Sequence, residues 1–420
     1  MTVDASVEED LTAFFSADPV AIAWPYPLYE RIRRGTGAAR WAGGPALVLT
    51  RYDDVKSVMS GALPLANNAY RYGAQAEATL LRIPAALREP LLGLLDFEGL
   101  FMSRKDGAEH LRLRRIASKA FTARRIAQLT DSISAHVNEL LAPIAEDGRG
   151  DIKTELANLL PTRVITDLLG VPQSDRDMIW EWSEAVAAFF TVDPATVARA
   201  QDAVTSFRQY VADIIAQVRR TGEGPDLAKT LLSGHADSRL TEDELVAMYL
   251  LLLFGGSETT TNLLGNGFLA LQRHRDQWDL LVQDPGLVPN AVEEMFRYDS
   301  PHHYLPRYAV ADFEIAGQQV REGDTVIIVQ ASANRDDKVF PGAERFDIRR
   351  GNAREHLSLA FGPHFCLGAA LARLEGQIVF GELVTRIPRA RLLTDDISYG
   401  GSAMLRAIQS LPIDAGTRRG

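Results

Sequence analysis

The chain has 420 residues, of which 46% are hydrophobic and 24% are charged, and its single cysteine is Cys366. A chain of this length can bury a large core without cross-links, and one cysteine excludes an internal disulfide. Its net charge of −10 argues against nonspecific nucleic-acid binding, which depends on neutralising phosphates. The longest apolar run is too short to cross a bilayer, and the acidic N-terminus is unlike a targeting leader. Composition therefore predicts a cytoplasmic protein with no membrane or nucleic-acid partner.

Helical periodicity dominates the first two-thirds of the sequence. Two prolines favour an extended segment over Trp24–Leu28. An Arg-rich amphipathic pattern predicts a helix over Glu109–Leu129, and a second pattern predicts another over Asp131–Ile144. No repeat, low-complexity tract or linker divides the chain, so we expect a single domain over residues 1–420.

The longest predicted helix begins at a capping box. Thr241 and Glu244 are spaced so that each side chain satisfies a backbone N–H at the start of the helix. Apolar and small residues then continue to about Leu271. Two glycines in the middle, Gly255 and Gly256, each cost about 1 kcal/mol relative to Ala in a helix, so we expect a compensating role for them.

In the C-terminal third the sequence pattern changes from mainly helical to one with short strands and a polar loop. A helix is predicted around Asn290–Tyr298, and a polar loop over residues 332–352 precedes the cysteine. Short strands are predicted at Phe313–Ile315, Val320 and Thr325–Ala331. A final long helix follows Cys366. The fold class predicted is mainly α with small β-sheets.

Cys366 follows a tight loop, Phe361-Gly362-Pro363-His364-Phe365, and precedes strong helix formers. A lone cysteine is usually a small buried hydrophobe, but a helix N-terminus favours the thiolate. A nucleophile needs a base, and the position of His364 does not by itself place its imidazole beside the sulfur. Zinc needs several Cys or His ligands, whereas haem iron needs one protein ligand. One cysteine in a glycine-bounded loop suits haem.

The segment Gly255-Gly256-Ser257-Glu258-Thr259-Thr260 is a second candidate site. The glycines lie one turn before Thr259, which leaves room for a small ligand against the helix. Thr259 can turn its hydroxyl inward, and Glu258 can pass protons through water. A helix-packing notch with a surface glutamate explains the hexapeptide equally well. The third motif, Glu294 and Arg297 at i and i+3, is uninformative alone.

In this order and spacing, the three motifs resemble the cytochrome P450 superfamily of haem-thiolate monooxygenases, in its soluble bacterial branch. Residues 106–115 are similar to the family's third-helix segment, and residues 333–336 and 340–346 are similar to the stretch before its Cys loop. The resemblance implies the cytochrome P450 fold, a triangular prism. It also places haem b between the long central helix and the helix after the Cys loop.

The resemblance also implies a role for each matching residue. Cys366 is the iron ligand, and Glu258 with Thr259 is the acid–alcohol pair that delivers protons to dioxygen. The other implied cofactor contacts are His110, Arg114, Gly256, Arg307 and His364, all but Gly256 through the haem propionates. The implied structural ion cluster consists of Glu294, Arg297 and Arg345.

The Cys loop departs from the family's usual Phe-Gly-x-Gly-x-His-x-Cys signature. Its first two positions fall on Leu359 and Ala360, whereas Gly362, His364 and Cys366 are kept. We expect this change to affect the packing around the sulfur, not the ligation.

The expected substrate contacts are Leu251, Phe254 and Gly255 on the central helix, with His303 and Leu305 on the opposite wall. The segment Leu65–Leu100 is expected to cover the mouth of the pocket. The run His302-His303-Tyr304 fits either polar substrate contacts or ordinary groups at a sheet edge. The pocket is expected to be mostly apolar, which suits a polyketide, a terpenoid, a macrolide or a modified amino acid.

The predicted reaction inserts one oxygen atom from O2 into a small organic molecule, by hydroxylation or epoxidation of a secondary metabolite. Oxidative coupling or desaturation within the same family is an alternative, and a non-catalytic haem sensor or carrier is a further one. No redox domain is fused to the chain, so a ferredoxin and its reductase are implied as electron donors, with a monomeric enzyme. Candidate docking residues are Arg112, Arg115 and Arg373, which could equally be ordinary solvated groups.

Overall fold

A computed structural model describes residues 5–43, 46–68, 84–188, 194–224, 226–236 and 240–416. The chain divides into two compact units, each assembled from segments far apart in sequence. The first unit comprises Met1–Leu65, Ile126–Pro161 and Glu258–Gly420, and the second comprises Ala66–Arg125 and Thr162–Ser257. The single domain expected over residues 1–420 stays a prediction.

Helices account for most of the described residues, which confirms the predicted fold class. In chain order the α-helices are α1 (Ala5–Phe15), α2 (Pro19–Ala23), α3 (Tyr26–Arg34), α4 (Tyr52–Met59), α5 (Ala85–Glu98), α6 (Gly107–Ser118), α7 (Ala123–Ala127), α8 (Thr130–Asp147), α9 (Leu159–Leu169), α10 (Arg176–Ala188), α11 (Pro194–Thr221), α12 (Asp226–Ala236), α13 (Glu242–Arg273), α14 (Arg275–Gln283), α15 (Val288–Tyr298), α16 (Gln330–Ala333) and α17 (Ala369–Arg386). A π-helical segment spans Ile152–Ala157, between α8 and α9. Among the helices that the structure describes, none has the length and apolar content that a bilayer crossing needs.

Within the described residues the strands are short and form four small sheets. They are β1 (Ala38–Trp41), β2 (Ala46–Leu49), β3 (Leu65–Ala66), β4 (Arg149–Asp151), β5 (Leu305–Ala309), β6 (Phe313–Ile315), β7 (Gln318–Val320), β8 (Thr325–Ile328), β9 (Arg391–Leu392), β10 (Tyr399–Gly400), β11 (Ala407–Ile408) and β12 (Pro412–Asp414). The largest sheet has the order β1-β2-β8-β5-β3, in which β2 and β8 are parallel and β5 is antiparallel to β8.

The largest sheet is buried on both faces within the first unit. Leu47 and Val326 point into a core shared with α4. Val48 and Ile327 point to the opposite face, into a core shared with α1 and α3. Apolar residues at successive positions, rather than alternating ones, follow from this two-sided burial. The sheet thereby fixes β5, which carries two of the expected site residues.

Three predicted boundaries are wrong, each for a local reason. The segment Trp24–Leu28 is not extended, because α3 begins at Tyr26, where a proline in the first turn loses no hydrogen bond. The helix predicted over Glu109–Leu129 is interrupted between Ser118 and Ala123. The strand predicted over Thr325–Ala331 ends at Ile328, and a helical turn follows.

The predicted capping box at the start of α13 is confirmed. The Glu244 backbone N–H donates to Thr241 Oγ1 at 3.1 Å, and the Thr241 N–H donates to Glu244 Oε2 at 3.0 Å. From this cap α13 runs without a break through Gly255 and Gly256 to Arg273. A single helix therefore presents both glycines, Glu258 and Thr259.

Candidate functional site

Cys366 lies between a 3-10 turn, Gly362–His364, and the N-terminus of α17. Its backbone N–H donates to the Leu359 carbonyl at 2.8 Å, which closes the loop, and its side chain is half-buried. The N-cap of α17 is Gly368, which has no side chain to cap the first turn. The sulfur therefore lies near the positive end of an 18-residue helix, an environment that favours the thiolate.

Two positive-φ residues shape the Cys loop. Gly362 has φ +73°, and a Cβ there would lie 2.7 Å from the Met59 carbonyl oxygen, so only glycine fits. Ala360 has φ +59°, although it carries a side chain. The left-handed conformation costs an L-residue about 1–2 kcal/mol, so the backbone of the loop is strained at Ala360.

One face of α13 remains accessible where its flanks are buried. The accessible residues recur at i, i+3, i+4, i+7 and i+8, which places them in one stripe; they are Leu251, Phe254, Gly255, Glu258 and Thr259. Of the residues between them, Leu252, Leu253 and Ser257 are buried. The stripe is apolar in its first half and polar in its second. Predicted substrate contacts and the predicted acid–alcohol pair therefore share one helix face.

The two central glycines differ in their surroundings. A Cβ at Gly255 would meet no atom within 4 Å, so this position leaves open space beside the helix. A Cβ at Gly256 would lie 2.8 Å from Ile165 Cγ1 on α9. Gly256 therefore packs closely against α9, and of the two glycines Gly255 alone has open space beside it. The cofactor contact expected at Gly256 stays a prediction.

The four residues expected to hold haem propionates are divided between the units. His110 and Arg114 lie one turn apart on α6 in the second unit, and His110 is only 1% exposed. Arg307, on β5, is buried in the first unit and donates from Nη1 to the Pro306 carbonyl at 2.7 Å. His364 lies in the turn that precedes Cys366 and is half-buried. Their role as propionate ligands stays a prediction.

The predicted ion cluster contains Glu294 and Arg297, both fully buried on α15. Arg297 donates to both Glu294 carboxylate oxygens, at 2.7 and 2.8 Å. Its remaining N–H groups donate to the carbonyls of Asn334, Ala343 and Arg345. The guanidinium thus uses all five of its donors, as a buried cation requires.

The structure corrects the third member of this cluster. Arg345 has an exposed side chain and contributes only its backbone carbonyl. The second cation on Glu294 is Arg350, whose Nε donates at 3.2 Å. Arg350 also donates to carbonyls of residues 341, 342 and 345. In the sequence, Arg350 is simply one arginine in a polar loop, so its pairing with Glu294 could not be predicted there.

A second ion network, which the sequence did not reveal, ties α15 to α17. Glu293 is fully buried and accepts from Arg373 at 2.6 Å and pairs with His356 at 3.2 Å. Burial opposes ionisation of Glu293, but hydrogen bonds from His356 and Arg373 outweigh it and hold its pKa at about 2. The helix that follows Cys366 is therefore fastened to α15 by a buried ionic contact.

The same geometry revises the candidate docking residues. Arg373 is engaged with Glu293, and Arg112 donates to both carboxylate oxygens of Glu244 at the cap of α13. Only Arg115 of the three is exposed. Two of the three expected docking arginines thus serve internal ion pairs.

His303 is completely buried, which does not agree with the expected substrate contact. Its Nδ1 lies 3.0 Å from the Tyr29 hydroxyl, and its Nε2 lies 3.7 Å from Asp299. Asp299 also accepts from Tyr26 and Arg406, each at 2.7 Å. Burial lowers the pKa of His303 to about 4, so the imidazole is neutral at pH 7. Its role here is to join the N-terminal helices to the C-terminal segment.

The remaining expected pocket residues are only partly described. Leu305, on β5, is half-buried and packs against the core on the α4 side of the large sheet. Within the expected pocket-mouth segment Leu65–Leu100, residues 69–83 lie outside the described residues, and α5 covers Ala85–Glu98. Both assignments stay predictions.

The donor set suits haem. Among the described residues no group of three or more His, Cys, Asp or Glu side chains converges as a metal site would require. Haem iron needs a single protein ligand, and the half-buried Cys366 at the start of α17 offers a thiolate. Such a thiolate, with an acid and an alcohol side chain on a helix face beside open space, agrees with the predicted haem-thiolate class of oxygen-activating enzymes.

Comparison with known proteins agrees with this class. The family model described as Cytochrome P450 matches residues 82–284 and 281–387. The polyketide biosynthesis cytochrome P450 PksS of Bacillus subtilis (strain 168) is 34% identical, over 95% of this chain and 96% of PksS. Vitamin D(3) 25-hydroxylase of Pseudonocardia autotrophica is 35% identical over 94% of each protein. The crystal structure of CalO2 superposes with a TM-score of 0.85 at 30% identity, covering 94% of this chain and 97% of CalO2.

The chain therefore belongs to the cytochrome P450 family and is a cytochrome P450 monooxygenase, an enzyme that uses haem iron and O2. Relatives include PksS, which is named for polyketide biosynthesis, and the 6-deoxyerythronolide B hydroxylase of Saccharopolyspora erythraea. The predicted family, enzyme class and cofactors are confirmed.

Proposed function

We propose that this P450 inserts one oxygen atom of O2 into an apolar secondary metabolite, by hydroxylation or epoxidation, with electrons from a ferredoxin and its reductase. The carrying observation is the accessible stripe on α13, which is apolar at Leu251 and Phe254 and ends in Glu258 and Thr259. Relatives named for polyketide biosynthesis, for 25-hydroxylation of vitamin D(3) and for hydroxylation of 6-deoxyerythronolide B support an apolar substrate of polyketide or terpenoid type.

Each part of the stripe has a task in this proposal. Bound haem, ligated by Cys366, supplies the redox chemistry of oxygen activation. The apolar side chains at Leu251 and Phe254 bind the substrate and exclude water from its surface, and the open space at Gly255 admits its bulk. The Thr259 hydroxyl orients a proton donor toward the reacting oxygen, and the Glu258 carboxylate replaces the proton from solvent.

The proton-delivery role of the polar end of the stripe can be tested by measuring the yield of product per electron consumed. We expect Thr259→Ala and Glu258→Gln to lower this yield by about 10²-fold or more, since a positioned proton donor contributes about that much. Thr260→Ala is the matched control, because Thr260 is the next residue on the same helix but is buried away from the stripe.

The measurement uses a surrogate ferredoxin system and a substrate selected by its shift of the haem spectrum, from a panel of polyketides, macrolides, terpenoids and modified amino acids. An unchanged yield in both stripe variants, with intact haem-thiolate spectra, would remove the proton-delivery role. A product with two substrates joined and no added oxygen would instead identify the oxidative-coupling alternative.

A further inference from the structure

Lys56, on α4, contacts the Cys loop and has no role in the proposed reaction so far. Its ammonium nitrogen lies 4.9 Å from the centre of the Phe361 ring and 5.3 Å from the centre of the Tyr52 ring. Phe361 is the first residue of the loop that leads to Cys366, and it is 40% exposed. A cation within about 6 Å of a ring centre is attracted by the face of the ring. Lys56 therefore attaches the start of the Cys loop to α4.

The next residues of the Cys loop pack against the end of α4. A Cβ on Gly362 would lie 2.7 Å from the Met59 carbonyl oxygen, at the last residue of the helix. A Cβ on Gly61 would lie 3.4 Å from Pro363 Cγ. Closer approach of the loop to α4 is thus blocked by the backbone, and the contact with Lys56 opposes movement away from it.

Helix α4 is itself held firmly. The Tyr52 backbone N–H donates to Asp336 Oδ2 at 3.1 Å, and the Tyr52 hydroxyl donates to the Glu355 carbonyl at 2.7 Å. Val55 and Met59 are buried in the core on the α4 side of the large sheet. The helix that carries Lys56 is therefore fixed by the core, whereas the ring that Lys56 contacts belongs to an exposed loop.

The Cys loop is fixed at its ends and strained between them. The Leu357 N–H donates to Asn334 Oδ1 at 2.6 Å, and the Cys366 N–H donates to the Leu359 carbonyl at 2.8 Å. Ala360, with its left-handed φ, directly precedes Phe361. A cation–π contact and the strain of one left-handed residue are of the same order in free energy. The Lys56 contact is therefore large enough to oppose relaxation of the strained loop.

The position of this loop bears on the properties of the sulfur. Hydrogen bonds to a ligand and its burial are among the features by which a protein sets the reduction potential of haem iron. The usual Phe and Gly of the signature are replaced here by Leu359 and Ala360. The packing of this loop then depends more on its other contacts, of which Lys56 supplies one.

We propose that Lys56 is a positioning residue for Cys366: its cation–π contact with Phe361 holds the Cys loop against α4 and so fixes the environment of the ligand sulfur. This inference rests on the ligation of haem by Cys366, which is part of the proposed function. Lys56 thereby influences oxygen activation through the reduction potential, without contacting the substrate.

The first test is a double-mutant cycle on the thiolate ligation. In the haem-loaded protein, the absorption band of the reduced carbon-monoxide complex reports the thiolate, and its loss is followed over time in dilute urea. Lys56→Met and Phe361→Leu each remove the contact, so each should accelerate the loss about two- to fivefold, the size of a cation–π contact at a partly exposed site. The double variant should be no faster than Lys56→Met alone.

Two further variants complete this test. Lys56→Arg should behave as the wild type, because a guanidinium also binds an aromatic face. Lys338→Met removes the same charge from an exposed position in the first unit and should leave the rate unchanged. Effects of Lys56→Met and Phe361→Leu that multiply in the double variant would show that the two residues act independently, and would overturn the inference.

The second test measures the reduction potential of the haem, which a contact that only stabilised the fold would leave unchanged. Lys56→Met should move the potential to more negative values by ~20–40 mV, equal to about a two- to fivefold change in a one-electron equilibrium. The reason is that a relaxed loop withdraws less electron density from the sulfur, which favours the oxidised iron. Phe361→Leu keeps the lysine charge and should shift the potential in the same direction.

The comparison of these two variants decides between positioning and other roles. A shift in Lys56→Met without one in Phe361→Leu would mean that the lysine charge acts directly on the haem. Unchanged potentials in both variants would leave Lys56 with a purely structural contact. Either result would overturn the positioning role.

The outcomes also separate this inference from the proposed function. A wild-type spectrum without the haem-thiolate band would remove Cys366 as the ligand, and the proposed function with it. A wild-type spectrum with this band, together with unchanged rates and potentials in Lys56→Met and Phe361→Leu, would remove only the role of Lys56. Should Phe361→Leu fail to bind haem, Lys56→Met and Lys56→Arg decide, because equal potentials in these two contradict the proposal.

Discussion

Two glutamates, Glu294 and Glu258, lie in very different environments in this fold. Glu294, on α15, is 0% exposed and is held by Arg297, Arg350 and the backbone N–H of Asp347. Glu258, on α13, is partly exposed and shares its stripe with a hydroxyl and open space. The same side chain is fixed in the first region and accessible in the second.

The two environments suit two different roles, one structural and one chemical. A carboxylate whose acceptor sites are filled by buried donors stabilises the elements that it joins, and releasing it leaves an uncompensated charge. A carboxylate on an accessible face can exchange its proton with solvent and with a bound reactant. We therefore expect substitutions at α15 to change stability most, and substitutions on the α13 stripe to change activity most.

The largest stability effect is expected from Arg297→Ala. It leaves Glu294 buried with one cation fewer and removes the Arg297 donors from three backbone carbonyls, of which that of Arg345 keeps its bond from Arg350. Breaking a buried ion pair costs about 3–5 kcal/mol, so we expect that loss in the free energy of unfolding measured with urea. Arg321→Ala removes a pair with Asp312 whose side chains are 69% and 53% exposed, and as control it should cost about 0.5 kcal/mol or less. Equal losses in the two variants would contradict the buried role of Arg297.

A smaller effect should distinguish the adjacent glycines of α13. Gly256→Ala places a Cβ 2.8 Å from Ile165 and should destabilise the protein by about 1–3 kcal/mol through overpacking. Gly255→Ala meets nothing within 4 Å and should stabilise the helix by up to about 1 kcal/mol. We expect Gly256→Ala to lower the midpoint of thermal unfolding and Gly255→Ala to raise it. Shifts of the same sign would show that the two positions do not differ in packing.

The smallest effect is expected in the Cys loop. Ala360→Gly relieves a left-handed φ but adds freedom to the unfolded chain, so we expect a net gain of about 0.5–1 kcal/mol in urea unfolding. Gly362→Ala, the reverse change two residues later, should destabilise, because its Cβ would meet the Met59 carbonyl at 2.7 Å. A destabilising Ala360→Gly would mean that the Ala360 side chain has a packing role that outweighs its backbone strain.

Sequence alone predicted the parts of this protein that depend on local pattern. The capping box at Thr241, the long helix that carries Glu258 and the cysteine before α17 follow from spacing and side-chain chemistry between near neighbours. The Glu294–Arg297 spacing was visible in the same way, because both residues lie on one helix, but its part in a buried ion cluster was implied only by the family resemblance.

Contacts between distant residues could not be predicted in this way. Arg350 reaches Glu294 from a loop 56 residues away, and Arg345, nearer in sequence, turns its side chain outward. His303 pairs with Tyr29 across 274 residues, which spacing cannot reveal. Gly256 differs from Gly255 because Ile165 of α9 lies beside it, whereas Gly255 has no neighbouring atom within 4 Å of an added Cβ. Each of these outcomes is set by tertiary packing rather than by local preference.

The interleaved segments of the first unit have a consequence for synthesis on the ribosome. Strand β4 pairs with β12 across about 260 residues, and Arg406 donates to the carbonyls of Ile22 and Ala23 near the other end of the chain. A chain made from its N-terminus onward must therefore hold its first helices and β4 without these partners until nearly all of it has emerged. The order of translation thus makes the early segments the ones most in need of protection while the last ones are made.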